Sequence, residues 1–169
     1  VAGVGAVNGP WAEPKARGNH LGGYAGVVEL LLEFLRFFAQ LRGGLAINLY
    51  RPAEAAGHDM RLKLYNAGVQ LPLSDVLPML EHMGFKVLSE SPYMIEPKAS
   101  GRAVWIHDFS MVTADGSEID LGAVRHYFHV ALDRVWSGDL EDASFNCLVL
   151  RAGLDWREVG VIRAYCRYL

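Results

Sequence analysis

Residues 60–84 read Met60-Arg-Leu-Lys-Leu-Tyr-Asn66, then Ala67-Gly-Val-Gln-Leu-Pro-Leu73, then Ser74-Asp-Val-Leu-Pro-Met-Leu-Glu-His-Met-Gly84. In the first part, Leu62 and Leu64 alternate with polar residues, which is typical of a half-buried strand. In the third part, Ser74 can cap a helix and Gly84 can supply the left-handed residue that ends it. The stretch therefore predicts a strand, a loop and a helix in succession, and the remaining elements are arranged around this unit.

Strand patterns lie on both sides of this unit. Before it, Leu45-Ala-Ile-Asn-Leu-Tyr-Arg51 alternates in the same way, and the intervening loop contains Pro52 and Gly57. This arrangement predicts a hairpin of two antiparallel strands. After the unit, two more strands are predicted, Lys86 to Glu96 with a bend at Pro92, and Ala103 to Thr113.

Three helices are predicted in the last fifty residues. The first is capped by Asp120, runs to about Ser137 and carries an apolar stripe made of Leu121, Val124, Phe128, Ala131, Leu132 and Val135. The second spans about Asp139 to Ala152, with acidic residues in its first turn. The third begins at Asp155, where Glu158 completes a capping box, and no Gly, Asn or Pro closes it before Leu169. We therefore expect a piece of a longer protein.

The order of elements from residue 60 to residue 137 is β-α-β-β-α, which is five sixths of a ferredoxin-like unit. A hairpin would place the strand Leu45 to Arg51 beside Met60 to Asn66, where the sixth element belongs. We therefore predict an α+β fold, with a ferredoxin-like four-stranded antiparallel sheet, helices on one face and additional C-terminal α-helices. We divide the chain into residues 1–23, 24–42, 44–138 and 139–169.

The first two of these segments differ sharply in composition. Residues 1–23 are rich in Gly, Ala and Asn, and we interpret them as a disordered tail. Residues 24–42 form an almost wholly apolar helical pattern whose polar residues share one narrow stripe: Glu29, Glu33, Arg36 and Gln40. Three ionisable groups make a membrane-spanning helix costly, so this segment predicts an interface with another domain or subunit.

The overall composition excludes several classes of protein. The 169 residues are 51% hydrophobic with a formal net charge of −3, so we expect a folded, soluble chain without a nucleic-acid or membrane partner. The N-terminus lacks the pattern of a secretory signal. Two cysteines, Cys147 and Cys166, are too few for a disulfide framework, and we interpret them as free buried thiols in the cytoplasm.

Two groups of polar residues are candidates for a catalytic or metal site. His126, His129 and Asp133 share one side of a predicted helix and could face a metal ion, but no fourth ligand is evident and a solvated polar face is favoured. His107 and Asp108 are neighbours in a strand, so their side chains point to opposite faces. We interpret His107 as structural, for example in a hydrogen bond at a sheet edge, and assign no metal site.

The loop Asn66-Ala-Gly-Val69 leads into a helix N-terminus. Free backbone N–H groups and the positive end of the helix dipole suit a bound carboxylate. The alternative is an ordinary turn between a strand and a helix.

Several blocks of this sequence resemble the very large bacterial NAD-specific glutamate dehydrogenases. They are, in order, Asn48-Leu-Tyr-Arg-Pro52, Leu62-Lys-Leu-Tyr65, Pro72-Leu-Ser-Asp-Val-Leu-Pro-Met-Leu-Glu-His-Met-Gly84, Val104-Trp-Ile-His-Asp-Phe109, Phe145-Asn-Cys-Leu-Val-Leu-Arg-Ala-Gly-Leu-Asp-Trp-Arg-Glu-Val159 and Arg163-Ala-Tyr-Cys-Arg-Tyr-Leu169. The resemblance covers residues 44–169 without large gaps. It implies an ACT-like regulatory domain at residues 44–138, followed by helices that lead toward an absent catalytic domain.

The resemblance also implies the function. The parent enzyme would convert L-glutamate to 2-oxoglutarate and ammonia with NAD, and this part would have no catalytic or cofactor-binding residues. ACT-like domains bind amino-acid effectors at the corresponding loop, which makes Asn66, Gly68 and Ser74 the candidate effector site. The implied partners are the rest of the parent chain and other subunits. The alternative is a stand-alone ACT-like module for amino-acid binding or oligomerisation.

Overall fold

A computed structural model describes residues 45–52, 57–95 and 103–169. The tail predicted for residues 1–23 and the apolar helix predicted for residues 24–42 lie outside these ranges. The elements in chain order are β1 (Ala46–Tyr50), β2 (Asp59–Ala67), α1 (Leu73–His82), β3 (Phe85–Ile95), β4 (Val104–Thr113), α2 (Leu121–Trp136), a 3-10 helix (Ser144–Cys147), α3 (Leu148–Ala152) and α4 (Trp156–Tyr168).

The four strands form one antiparallel sheet in the order β1-β2-β4-β3. In the hairpin of β1 and β2, Ile47 lies opposite Leu64 and Leu49 lies opposite Leu62, as the alternation predicts. Strand β1 occupies the position that the final strand takes in a ferredoxin-like unit. The predicted fold class is confirmed, with the sixth element placed at the start of the unit.

One face of the sheet carries the main core. Leu62 and Phe109 are fully buried there, and helices α1 and α2 contribute side chains to the same cluster. Phe128 of α2 packs edge-on against Phe85 at a ring-centroid distance of 5.6 Å. All six residues of the apolar stripe predicted for α2 are buried. Each large apolar side chain buried in this way contributes roughly 1.5–3 kcal/mol, so this layer supplies much of the stability.

The opposite face of the sheet is more polar. Ala46, Tyr65 and Ile106 form a small separate apolar cluster there. Beside this cluster, a guanidinium nitrogen of Arg61 lies 3.7 Å from a carboxylate oxygen of Asp108. Burial raises the pKa of the Asp108 carboxyl, an effect that nearby basic side chains oppose. The two faces therefore differ in chemistry as well as in packing.

Strand β3 differs from its prediction in one respect. The predicted bend at Pro92 is wrong, because Pro92 pairs with His107 within the strand. A proline is tolerated here because β3 is an edge strand, where one side needs no ladder hydrogen bond. The irregularity lies instead between Val87 and Ser89. This bulge reverses the alternation, so that Glu90 lies on the helix-bearing face.

The helix predicted for Asp139 to Ala152 is wrong in its first half. The N–H groups of Asp139 and Leu140 both donate to the carbonyl oxygen of Arg134, at 2.9 and 3.0 Å. Because these bonds close the end of α2, the chain cannot begin a new helix there, and the acidic residues are not in a helical first turn. The structure continues as the short 3-10 helix and then α3.

Helix α4 begins as predicted. Asp155 accepts from the N–H of Glu158 at 2.9 Å, and the Glu158 carboxylate accepts from the N–H of Asp155 at 2.8 Å. Val159 of α4 is fully buried in the main core. Helix α4 is also held by Arg163, whose guanidinium donates to the carbonyl oxygen of Glu141 at 2.9 Å. The domain division at residue 138 stays a prediction.

Two further observations concern the cysteines and the lengths of the helices. Cys166 is exposed and Cys147 is half-buried, so the expectation of two buried thiols is wrong. Within the ranges given above, none of the helices combines the length and the apolar character needed to cross a bilayer.

Candidate functional site

The chain between β2 and α1, residues 68–72, is called the entry loop here. It is anchored at two points, one at the residue that precedes β4 and one in β4 itself. The N–H of Gly68 donates to the carbonyl oxygen of Ala103 at 2.8 Å, and the N–H of Leu71 donates to Nε2 of His107 at 3.2 Å. Val69 and Gln70 are exposed between these anchors. The loop is therefore fixed at both ends and presents its middle to solvent.

Two candidate residues shape the first half of the entry loop. Gly68 has a φ of 95°, which is unfavourable for any residue with a Cβ. Among the described residues, none other than its chain neighbours has an atom within 4 Å of the position that a Cβ would take, so conformation requires glycine here. The Asn66 side-chain amide donates to the carbonyl oxygen of Val69 at 2.9 Å and closes the turn. Both residues thus determine the path of the loop.

The third candidate, Ser74, does not cap the helix as predicted. Pro72 is the N-cap residue, in an extended conformation, and no side chain accepts from the first turn. Because α1 begins two residues earlier than expected, Ser74 lies within its first turn, and its hydroxyl donates to Asp75 at 3.1 Å. The helix therefore begins without a side-chain cap, and the dipole of α1 is available to a bound anion beside the Asp75 carboxylate.

The entry loop rests on a buried histidine. His107 is fully buried on the helix-bearing face of β4, and its ring stacks on Phe109 at 6.2 Å. Its Nδ1 lies 2.8 Å from a carboxylate oxygen of Glu90. Since Nε2 accepts the N–H of Leu71, the ring proton must be on Nδ1, which donates to Glu90. Glu90, His107 and Leu71 thus form a continuous chain of hydrogen bonds from β3 to the entry loop.

The prediction that His107 and Asp108 do not converge is confirmed. Asp108 faces the other side of the sheet, where it pairs with Arg61. The suggested location of His107 at a sheet edge is wrong, because β4 is an interior strand.

The predicted polar face of α2 contains one residue with a structural role. The N–H of Leu49 donates to Nε2 of His129 at 3.1 Å. Burial, followed by the nearby charges of Arg125 and His126, lowers the pKa of His129 to about 4. His129 is therefore neutral at pH 7 and half-buried, so the interpretation of a fully solvated face is wrong for this residue. In the part of the chain that the structure describes, no group of three His, Cys, Asp or Glu side chains is placed to hold a metal ion.

Two residues of this site were not identified from the sequence. Glu90 would point away from the helices in a regularly alternating strand, and only the bulge brings it to His107. Leu71 takes part through its backbone N–H, which leaves no mark in residue type. The sequence offered one signal for these partners, namely His107 itself. A polar side chain within an otherwise apolar strand must find hydrogen-bond partners when it is buried.

The comparison with protein families matches two parts of the chain. Residues 44–124 match the glutamate dehydrogenase ACT3 domain, and residues 140–169 match glutamate dehydrogenase helical motif 3. The matched ACT domain contains all four strands, α1 and the entry loop. The match agrees with the α+β architecture described above and confirms the ACT-like fold.

Individual relatives give the same result. The NAD-specific glutamate dehydrogenase of Halomonas elongata is 46% identical over 125 residues, which are 74% of this chain and 8% of that protein. The enzyme of the same name from Pseudomonas aeruginosa is 42% identical over 125 residues, with the same coverage of 74% and 8%. That of Mycobacterium tuberculosis is 36% identical over 114 residues, or 64% of this chain and 7% of that protein.

The chain thus spans less than a tenth of the length of these relatives. The two family matches follow one another along the chain without overlap. The chain therefore belongs to the NAD-specific glutamate dehydrogenase family, with residues 44–124 as its ACT3 domain and residues 140–169 as its helical motif 3.

Proposed function

We propose that residues 45–169 are a regulatory and structural part of an NAD-dependent glutamate dehydrogenase. The parent enzyme would oxidise L-glutamate with NAD and water to 2-oxoglutarate, ammonia and NADH. The observation that carries this proposal is the identity of 46% and 42% over 125 residues to two NAD-specific glutamate dehydrogenases. In this proposal, hydride transfer takes place elsewhere in the parent chain.

The proposed regulatory site is the entry loop with the first turn of α1. Its ligand would be an amino acid whose carboxylate approaches the uncapped N–H groups near Ser74, while Gly68 and Asn66 hold the loop in shape. The uncapped helix start and the positive φ of Gly68 support this proposal. The carboxylate of Asp75 lies in the same turn and would favour a ligand that also carries an ammonium group.

The proposed partners are the remaining parts of the parent chain and other subunits. Support comes from α4, where Val161 and Tyr165 are one turn apart and are 55% and 69% exposed. An apolar stripe of this kind is typical of a surface that other protein covers. A cytoplasmic location is also proposed, and it is supported by family membership.

The proposal is tested in a dehydrogenase whose chain includes residues 45–169. Initial rates of NAD reduction with L-glutamate are measured with each of the other common amino acids added in turn. We expect at least one of them to change the glutamate dependence by about fivefold or more, which is the lower range of allosteric coupling. The Ser74→Asp variant should lose this response, because a second carboxylate in the first turn repels the carboxylate of the effector.

Ser144→Asp is the matched control, since it adds the same charge to the 3-10 helix near the other end of α1. It should retain the response. A parent enzyme that reduces NAD with glutamate but ignores every amino acid would contradict the regulatory role. Binding of an amino acid without any change in rate would favour the alternative, an independent ACT-like binding module.

A further inference from the structure

His107 is a polar residue at a position where burial removes its side chain from water. It is fully buried on the helix-bearing face, among the large apolar side chains of the main core. An imidazole placed there must satisfy both ring nitrogens, because each unpaired polar atom carries a desolvation cost. Both are satisfied, Nε2 by Leu71 and Nδ1 by Glu90. The ring therefore connects two defined points, one in the entry loop and one in β3.

The entry-loop contact requires one particular form of the ring. The N–H of Leu71 can only donate, so Nε2 must present a lone pair rather than a proton. In a neutral imidazole either nitrogen can carry the proton, and the partner of the other nitrogen decides between them. The Glu90 carboxylate can only accept when ionised. It therefore selects the form with hydrogen on Nδ1, which is the form that Leu71 needs.

The bulge in β3 makes this selection possible. Before it, Val87 faces the helices, and after it Glu90 does, which brings the carboxylate within 2.8 Å of Nδ1. The Glu90 side chain is 13% exposed and the imidazole is fully buried, so little water competes for either group. The nearer carboxylate in sequence, Asp108, lies on the opposite face and cannot replace it.

We propose that Glu90 and His107 are positioning residues for the entry loop, in which Glu90 fixes the ring form of His107 and His107 fixes Leu71. Neither residue touches the ligand. They fix the position of the entry loop relative to β4. This position in turn sets the direction of the N–H groups at the start of α1. The link to effector binding rests on the proposed function, whereas the anchoring of the loop does not.

The first test is made on the unmodified 169-residue chain. Nitrogen-15 chemical shifts of the His107 ring at pH 7 report which nitrogen carries hydrogen. We expect hydrogen on Nδ1 and a bare Nε2. Hydrogen on Nε2 would overturn the proposal, and this measurement needs no variant.

The second test compares three variants. Glu90→Gln keeps a side-chain acceptor and should preserve both the ring form and the slow hydrogen exchange of the Leu71 amide. Glu90→Leu has no acceptor and should shift the ring toward hydrogen on Nε2, with exchange of that amide about tenfold faster, as expected for the loss of one hydrogen bond. Asp108→Asn is the control and should behave as the unmodified chain. Equal Leu71 protection in Glu90→Leu and the unmodified chain would overturn the proposal.

Calorimetric titration with each of the twenty amino acids tests whether the anchoring of the entry loop affects amino-acid binding. Where the unmodified chain binds one of them, Glu90→Leu should bind it about tenfold more weakly, and Glu90→Gln should bind it nearly as well. Undiminished binding by Glu90→Leu would refute the positioning role. Absence of binding by the unmodified chain would instead remove the proposed effector function, and the ring and exchange measurements would still decide the anchoring of the loop.

Discussion

Two histidines accept hydrogen bonds from backbone N–H groups that the secondary structure of this molecule leaves unpaired. His129 accepts the N–H of Leu49 in the edge strand β1, and His107 accepts the N–H of Leu71 in the entry loop. A buried N–H without a partner costs roughly 1–3 kcal/mol, so each contact prevents a substantial loss. In both side chains Nε2 must be unprotonated in order to accept this hydrogen bond.

The low pKa of His129 predicts a pH-dependent stability. The folded chain holds this imidazole neutral down to about pH 4, whereas the unfolded chain protonates it near its ordinary value of 6.5. The unfolded state therefore binds more protons between these values, so the stabilisation is complete above pH 6.5 and is lost as the pH falls toward 4. We expect the free energy of unfolding in urea to drop by about 1 kcal/mol between pH 7.5 and pH 5 from this residue, after allowance for partial solvent screening.

The matched variant for this measurement is His129→Gln, whose side-chain oxygen can still accept the N–H of Leu49 but does not titrate in this range. The pH-dependent loss should be smaller in the variant by that amount. An identical pH dependence in the two proteins would show that His129 is not held neutral by the fold.

At the residue scale, the sequence predicted the candidates better than their partners. The alternation of β4 correctly separated His107 from Asp108. It could not identify Glu90, because regular alternation places Glu90 on the other face and only the bulge between Val87 and Ser89 turns it inward. Ser74 was wrongly chosen as a cap because Pro72, which has no capping side chain, begins the helix instead.

The end of α1 is determined by a glycine that also permits a close contact with the 3-10 helix. Gly84 follows α1 with a φ of 96°, and the position of its missing Cβ lies 3.3 Å from the Cβ of Cys147 in the 3-10 helix. The same glycine therefore ends α1 and allows close contact with the C-terminal helical segment. His82, in the last turn of α1, reinforces this contact through a 2.9 Å hydrogen bond between its Nδ1 and a carboxylate oxygen of Asp142.

Gly84→Ala should destabilise the chain by about 1–2 kcal/mol, because the left-handed conformation is unfavourable for alanine and the added methyl group is tight against Cys147. Gly160→Ala is the contrasting variant, since Gly160 lies inside α4 and, apart from the backbone of α4 itself, the described residues place no atom within 4 Å of its Cβ position. It should be neutral or stabilise by up to about 1 kcal/mol. Urea unfolding of both variants provides the check, and similar values for the two would contradict this account of Gly84.

At the scale of elements, patterns that rest on local chemistry predicted the structure well. The Asp120 cap, the Gly84 stop and the capping box of Asp155 and Glu158 are all observed. The helix predicted from Asp139 was wrong, because two N–H groups after α2 turn back to Arg134 and the periodicity of side chains does not record this.

Across the described residues, the sheet and the C-terminal helices share one hydrophobic core. Val149 of α3 and Val159 of α4 are fully buried in the cluster that also contains Leu62 and Phe109. The sheet and α4 therefore pack together as one unit. In the proposed parent enzyme, a ligand at the entry loop would act on distant parts through this shared core if it favours one arrangement of these packed elements over another.

The ACT fold of residues 44–124 was predictable because five of its six elements occur in ferredoxin-like order. The function was not predictable from periodicity or composition. It was indicated by the order of sequence blocks shared with a family, and the comparisons at 46% and 42% identity agree with it. Effector binding remains a proposal, since no residue pattern in the entry loop specifies a particular amino acid.

The proposed site at the entry loop binds an amino acid through its carboxylate. Isothermal titration calorimetry of the 169-residue chain with each of the twenty amino acids tests this proposal most directly, with Ser74→Asp measured in parallel. We predict saturable binding of at least one amino acid to the unmodified chain, and at least tenfold weaker binding to Ser74→Asp, although the added charge should slightly stabilise α1. Absence of heat with every amino acid, or equal affinity in the variant, would contradict the account.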